Sequence, residues 1–244
     1  MGAFAPTMAS DLVGFRVCCD ITESPLKTSF TWPADALRED RIGAPDLSKA
    51  KKLWQSDCAD APNKWATNKA LNHEIGWENG KYFILAMPGY TGGTWPHSNV
   101  YSDFACQLVG RVTQSLDGQW VLKYRVRFKQ TYNVGFHLNG RQELRLVLST
   151  AESKEPRSIA LFKHAAIKPG EEFNKLLVVG RGNRFEIFVN DVAICNPFIL
   201  DAVTEPGAFA ISSLAQDNAV RAEFKSFSLW SGEGRKSVAG QLKK

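Results

Sequence analysis

No apolar run in this sequence approaches the ~20 residues that carry a helix across a bilayer. Residues 1–9 have no basic n-region and their apolar stretch is broken, so no secretory signal is expected. The cysteines, Cys18, Cys19, Cys58, Cys106 and Cys195, are odd in number and irregular in spacing. None forms a Cys-x-x-Cys pair, which argues against a zinc site. Cys106 and Cys195 stand at apolar positions of strand-like patterns, where buried free thiols belong. The odd count leans towards a reducing compartment without assigning one. His73, His97, His137 and His164 are far apart in the chain, so a histidine metal site is not expected. A structural calcium would need clustered oxygens, with Asp57, Asp60 and Asp103 as the candidate donors; no other cofactor is expected. No Gly-x-Ser-x-Gly elbow of a serine hydrolase is present. Internal repeats and low-complexity tracts are also missing.

What is present is apolar and aromatic residue in short alternating runs. Hydrophobic residues make up 44% of 244 and charged residues 23%, enough for a real core and against global disorder. Aromatics at 11% favour β structure and stacking surfaces. The net charge of +5 is too weak to name nucleic acid as the partner. An anionic glycan, a phospholipid headgroup or an acidic protein would all be served. From about Lys51 the pattern becomes that of strands. Asn79-Gly80, Asp117-Gly118, Asn139-Gly140, Gly182-Asn183 and Asn190-Asp191 read as tight turns between them. In 103–112, Phe104, Cys106, Leu108 and Val112 fall on one face. In 120–129, Trp120, Leu122, Tyr124, Val126 and Phe128 alternate with Lys123, Arg125, Arg127 and Lys129, apolar on one side and basic on the other. Within 220–230 the apolar phase changes between Phe224 and Phe227, which predicts a β-bulge near Lys225 and Ser226. Residues 21–50 read as a linker with a short helix over 33–40, and 233–244 as a basic tail. Many short strands with turn pairs between them predict an all-β fold: a two-sheet antiparallel, jelly-roll-like sandwich over 51–232 with an irregular N-terminal extension.

The order of features from Lys52 to Trp230 resembles the concanavalin A-like (laminin G-like) lectin and glucanase domains of bacterial multidomain proteins. The elements are Leu53-Trp54 with Trp65, the run from Glu78 to Tyr82, Ser102-Asp103-Phe104, Gly118 to Arg127, Asn174-Lys175-Leu176, Gly182, Val189-Asn190, Gly207 to Ile211 and Val220 to Phe227. The sequence departs from that pattern at Asp191, where glycine is usual, and at Cys58, where an aromatic is common. Separately, Gly14-Phe15-Arg16-Val17 resembles the closing strand of formylglycine-generating (sulfatase-modifying factor) domains, which would make residues 1–20 the tail of a truncated neighbour. The first resemblance implies an accessory module that binds glycan or protein, with other domains of a parent chain among the candidate partners. The related family 16 glycoside hydrolases carry a Glu-x-Asp-x-x-Glu strand; here Glu171, Glu172, Glu186 and Glu223 are scattered instead.

Two candidate sites follow. Within 88–101, read as a loop, Tyr90, Trp95, His97 and Tyr101 offer flat apolar faces with polar tips, the chemistry that sugar rings favour. Lys123, Arg125, Arg127 and Lys129 form a basic stripe suited to a carboxylated or sulfated polymer, with Arg111, Arg141 and Arg145 as extensions. No residue is assigned a catalytic or metal-ligating role. The expected function is a non-catalytic recognition module for carbohydrate or an anionic surface within a larger protein. The alternatives are a glycan-active hydrolase of the same fold, family 16-like or 3-keto-disaccharide hydrolase-like, and a purely structural or dimerisation domain.

Overall fold

The computed structural model describes residues 17–18, 30–31, 43–58, 65–124, 132–150, 156–201, 203 and 206–232. The expected helix at 33–40, the positions of Asp60, Arg125, Arg127 and Lys129, and the basic tail lie outside them. The chain order of strands is β1 (Val17–Cys18), β2 (Phe30–Thr31), β3 (Lys52–Ser56), β4 (Asn68–Lys69), β5 (His73–Glu78), β6 (Lys81–Ala86), β7 (Thr91–Tyr101), β8 (Asp103–Thr113) and β9 (Gln119–Tyr124). It continues with β10 (Tyr132–Asn139), β11 (Glu143–Thr150), β12 (Arg157–Lys163), β13 (Asn174–Arg181), β14 (Arg184–Val189), β15 (Val192–Ala193), β16 (Phe198–Leu200), β17 (Gly207–Leu214) and β18 (Val220–Ser231). There is no helix among the described residues, so the all-β reading holds.

The strands build two antiparallel sheets. One has seven strands in the order β1-β12-β11-β10-β9-β17-β7. The other has eleven, ordered β2-β16-β14-β13-β8-β18-β6-β5-β4, with β15 against β14 and β3 against β18. Their facing sides share one core. Trp120, Leu122 and Tyr124 point into it from β9, and Phe104, Cys106, Leu108 and Val112 from β8, all at most 2% exposed. The ring of Phe104 joins the sheets, with centroids 4.6 Å from Tyr124 and 4.8 Å from Phe209. Its neighbour across the β13 pairing is Gly180, where a Cβ would lie 2.5 Å from the Phe104 ring. Any side chain there would push the ring out of the sheet-to-sheet contact.

The turn chemistry is mostly as expected. Asn79 and Gly80 both take positive φ between β5 and β6, as do Asn190 and Asp191 between β14 and β15. The phase change in β18 is a register shift between Phe224 and Ser226 against β8. Asp117-Gly118 is different. It does not close a hairpin, because β8 belongs to the eleven-stranded sheet and β9 to the other. The dipeptide carries the chain from one sheet to the next, and neither residue has positive φ.

Residues 43–50, expected to be linker, cover the far side of the eleven-stranded sheet. Ala44, Leu47 and Ala50 pack on a second apolar cluster of Ala105, Leu177, Val179, Phe188 and Trp230. Gly43 bridges to Val192, the Ala44 N–H donates to the Asp191 carbonyl at 2.9 Å, and the Ser231 N–H donates to the Lys51 carbonyl at 2.9 Å.

Candidate functional site

Tyr90 and Tyr101, the two aromatic candidates whose side chains are described, stand at opposite ends of one strand. Residues 91–101 are not a loop but an edge strand, β7, paired to β17 with register shifts. Tyr90 precedes it and Tyr101 ends it. Eleven residues of strand span about 35 Å when fully extended. One sugar ring cannot touch both. Tyr90 is half exposed at 51%. Tyr101 is half-buried, packed 6.3 Å from the Phe209 ring, and its carbonyl accepts the Tyr124 hydroxyl at 2.6 Å. Burial pushes the Tyr101 phenol up, against a hydrogen bond with Asn99. The side chains of Trp95 and His97 lie outside the described ones.

Of the basic candidates that are described, Arg111 and Arg141 lie apart from Lys123. Arg111 faces out from the eleven-stranded sheet, bound to Glu223. Arg141 sits in the β10–β11 turn, paired with Asp117 at 2.6 Å. Lys123 and Arg145 do share a face, the side of the seven-stranded sheet turned away from the core. Strand register builds that face row by row. One row runs Leu161, Arg145, His137, Val121, Ser212, Gly93 across β12, β11, β10, β9, β17 and β7. The next runs Val147, Gly135, Lys123, Ala210, and a third contains Lys163, Glu143 and Gln119.

Part of this face is buried. Val121 is fully buried, Ser212 is 1% exposed and His137 8%. Lys123 is only half-buried, yet burial pulls its ammonium below the usual lysine range. Among the described residues no carboxylate or hydrogen-bond acceptor pairs with it. His137 Nδ1 lies 2.7 Å from Gln119 Oε1. An amide oxygen only accepts, so Nδ1 carries the proton and Nε2 keeps its lone pair. Burial, then Lys123, then Arg145 drive the His137 pKa down to about 3, so the ring is neutral. Its Nε2 overlies Gly135, where a Cβ would come within 2.4 Å of it. The Ser212 hydroxyl has no hydrogen-bond partner among the described residues.

Among the described residues of this face Glu143 is the one carboxylate. Asn139 Nδ2 donates to it at 2.9 Å and Lys163 pairs with it at 2.9 Å. Burial raises its pKa, but Lys163 and Asn139 overcome that and hold it below the usual range. The other acids that the sequence left scattered stay so: Glu223 is on the opposite sheet and Glu172 pairs with Lys168. No group of three or more metal-ligating side chains gathers among the described residues. Cys58 and Cys106 are buried free thiols, and burial pushes Cys58 up to about 12.

His137, Ser212 and Gln119 were missed from sequence. Alternation around Gly135 and His137 would have placed the histidine on the Lys123 face, but only strand register brings Arg145 and Ser212 to it.

The sequence matches no protein-family profile and no curated protein sequence. Solved structures are more informative. The chain is similar to a GlcNAcα1-4Gal-releasing endo-β-galactosidase from Clostridium perfringens, with TM-score 0.58 and 8% identity over 81% of this chain and 67% of that one. It is similar to the catalytic domain of an endo-1,3-β-glucanase (laminarinase) from Thermotoga petrophila, with TM-score 0.56 and 8% identity over 76% and 99%. A Bacillus subtilis protein of galectin-like fold gives TM-score 0.56 and 10% identity over 74% and 96%. At these identities the likeness establishes the fold: a concanavalin A-like jelly-roll sandwich. None of these structures supports a formylglycine-generating tail, and residues 1–16 lie outside the described ones.

Proposed function

We propose that this chain is a non-catalytic recognition module that binds carbohydrate on the outward face of its seven-stranded sheet. The observation that carries the reading is the make-up of that face. Lys123, Arg145 and neutral His137 stand around the small residues Gly135, Ala210 and Ser212, with a single carboxylate already engaged by Lys163 and Asn139. Hydrolysis of a glycosidic bond by the usual route needs two carboxyl groups, about 5–10 Å apart across the bond. The described residues of this face supply one. Binding needs only groups that orient a ring and exclude water. The fold supports only the carbohydrate part of the reading, since it is one on which proteins named for cleaving glycans are built; fold alone does not assign an activity.

The test is a glycan array combined with a reducing-end assay on the retained glycans. The expected result is retention of at least one glycan with no release of reducing ends. Release that disappears in Glu143→Gln would replace this reading with a hydrolase. No retention of any glycan would leave the structural reading.

A further inference from the structure

Burial of an ammonium group without a counter-charge is unfavourable, and proteins keep such groups where a ligand completes them. Lys123 is in that position. It is half-buried on β9, desolvated, and without an ion-pair or hydrogen-bond partner among the described residues. Two strands away, Arg145 is half-buried on the same face, and the carboxylate it acts on, Glu143, already holds Lys163 and Asn139. Between these cations lies β10. It places Gly135 directly opposite Lys123 and His137 directly opposite Arg145. Neighbouring strands stand about 4.8 Å apart, so both cations flank the His137 ring at side-chain reach. The Gly135 position adds no side chain above the backbone, and the His137 Nε2 lies over it. That nitrogen is an acceptor, because its partner Nδ1 is committed to Gln119. The Ser212 hydroxyl, one strand beyond Val121 on the same face, is 1% exposed and also without a partner among the described residues.

The geometry points to an acidic saccharide as the ligand: its carboxylate held between Lys123 and Arg145, and a neighbouring ring hydroxyl donating to His137 Nε2. This rests on the recognition reading above and narrows its substrate class. A neutral sugar could accept hydrogen bonds from the Lys123 ammonium but would leave it without a counter-charge. A bare inorganic anion would set its own lone pairs against that of Nε2. A ring that carries a carboxylate beside a hydroxyl satisfies both groups at once. Neutrality of His137, enforced by burial and by the two cations, keeps the acceptor available at physiological pH. A sulfate ester on a sugar offers the same pairing, and the experiment separates the two sources.

The experiment is calorimetric titration of the full chain at fixed ionic strength with three oligosaccharides of equal length: a tetragalacturonate, a sulfated glycan and a neutral glucan. The wild type should bind the uronate at least tenfold more tightly than the neutral glucan. In Lys123→Met that preference should collapse to about one. The thermal midpoint of Lys123→Met should hold or rise, since a charge without a partner has been replaced by an apolar chain of similar length. Arg145→Gln should lower the preference in the same direction, and Lys123→Arg should keep most of it, which guards against a fold defect in a single variant. Equal wild-type affinity for acidic and neutral glycans would overturn the inference and leave the recognition reading in place. So would a preference that survives in both Lys123→Met and Arg145→Gln, or a sulfated glycan that outranks the uronate. A wild type that binds none of the three and no glycan on the array would remove the recognition reading itself.

Discussion

Asn190 and Asp191 show how much two adjacent residues of similar chemistry can differ. Both take positive φ, 51° and 70°, in the turn that reverses β14 into β15. Left-handed backbone costs an L-residue about 1–2 kcal/mol, less for Asn and Asp. Asn190 recovers that cost. Its Oδ1 accepts the Lys175 N–H at 2.9 Å, and its Nδ2 donates to the Ala166 carbonyl at 2.7 Å and to Asn174 Oδ1 at 2.8 Å. Asp191 makes one exposed ion pair, to Lys175, and exposed pairs are worth little. The two glycine variants should therefore move in opposite directions. Asp191→Gly should stabilise the fold by about 0.5 kcal/mol, by relief of strain. Asn190→Gly should destabilise it by about 2 kcal/mol, through loss of three hydrogen bonds in a partly buried corner. Urea unfolding midpoints decide the matter. If both variants shift the same way, the turn is not held by the Asn190 side chain.

At the level of elements the outward face of β18 carries the densest charge. Glu223 is 8% exposed and directly opposite Arg111 on β8. Arg111 Nε and Nη2 donate to its Oε2 at 2.9 and 2.7 Å, and Arg221 Nε donates to Oε1 at 3.1 Å. Lys81 adds a third cation at 3.5 Å. Phe83 lies 4.1 Å from the Arg221 guanidinium and Phe173 4.7 Å from that of Arg111, so the cations are held from both sides. Burial raises the Glu223 pKa, but Arg111 and the other cations lower it more, and the net shift is downward. A carboxylate with a depressed folded pKa stabilises the fold fully above its unfolded value and loses that contribution as pH falls through the folded one. The thermal midpoint of the wild type should thus drop below about pH 4. Glu223→Gln should cost about 3 kcal/mol at neutral pH and show a flatter acid limb, since its stability no longer depends on that proton. Thermal unfolding from about pH 3 to about pH 7 measures both; an unchanged acid limb would remove Glu223 from the account. Elements of this kind were legible in part. The bulge in β18 followed from the phase change between Phe224 and Phe227, and the inward row Trp120, Leu122 and Tyr124 from strict alternation. The partners were not legible. Asp117-Gly118 announced a reversal, but a turn dipeptide does not state which sheet receives the next strand. Lys123 was readable as outward, whereas its neighbours on that face, His137, Arg145 and Ser212, arrive from other strands through register. Tyr90 and Tyr101 looked adjacent only until the segment between them proved to be extended.

Across the whole molecule, the eleven-stranded sheet is apolar on both sides, and something must cover the second. In β13, Leu176 and Val178 enter the main core while Leu177 and Val179 face the other way, all buried. With Ala105, Phe188 and Trp230 they would form an apolar patch of the kind that drives association when left in water. Residues 43–51 cross it as a strap, from the Val192 bridge at one end to the Ser231 hydrogen bond at the other. Leu47 is the largest side chain the strap sets against the patch, and Lys52 closes its end 5.7 Å from the Trp230 ring. The strap belongs to the sandwich on physical grounds, although its Pro, Asp and Ser content reads as linker. A chain that starts at Gly43 should unfold cooperatively and bind little 8-anilinonaphthalene-1-sulfonate. One that starts at Lys52 should lose about 2–4 kcal/mol, from re-exposure of Leu177, Val179, Phe188 and Trp230, and should bind the dye and self-associate with rising concentration. Leu47→Asp in the full chain should reproduce a smaller version of that loss. Equal unfolding midpoints and equal dye binding for the two truncated chains would show that 43–51 merely lies on the sheet without stabilising it.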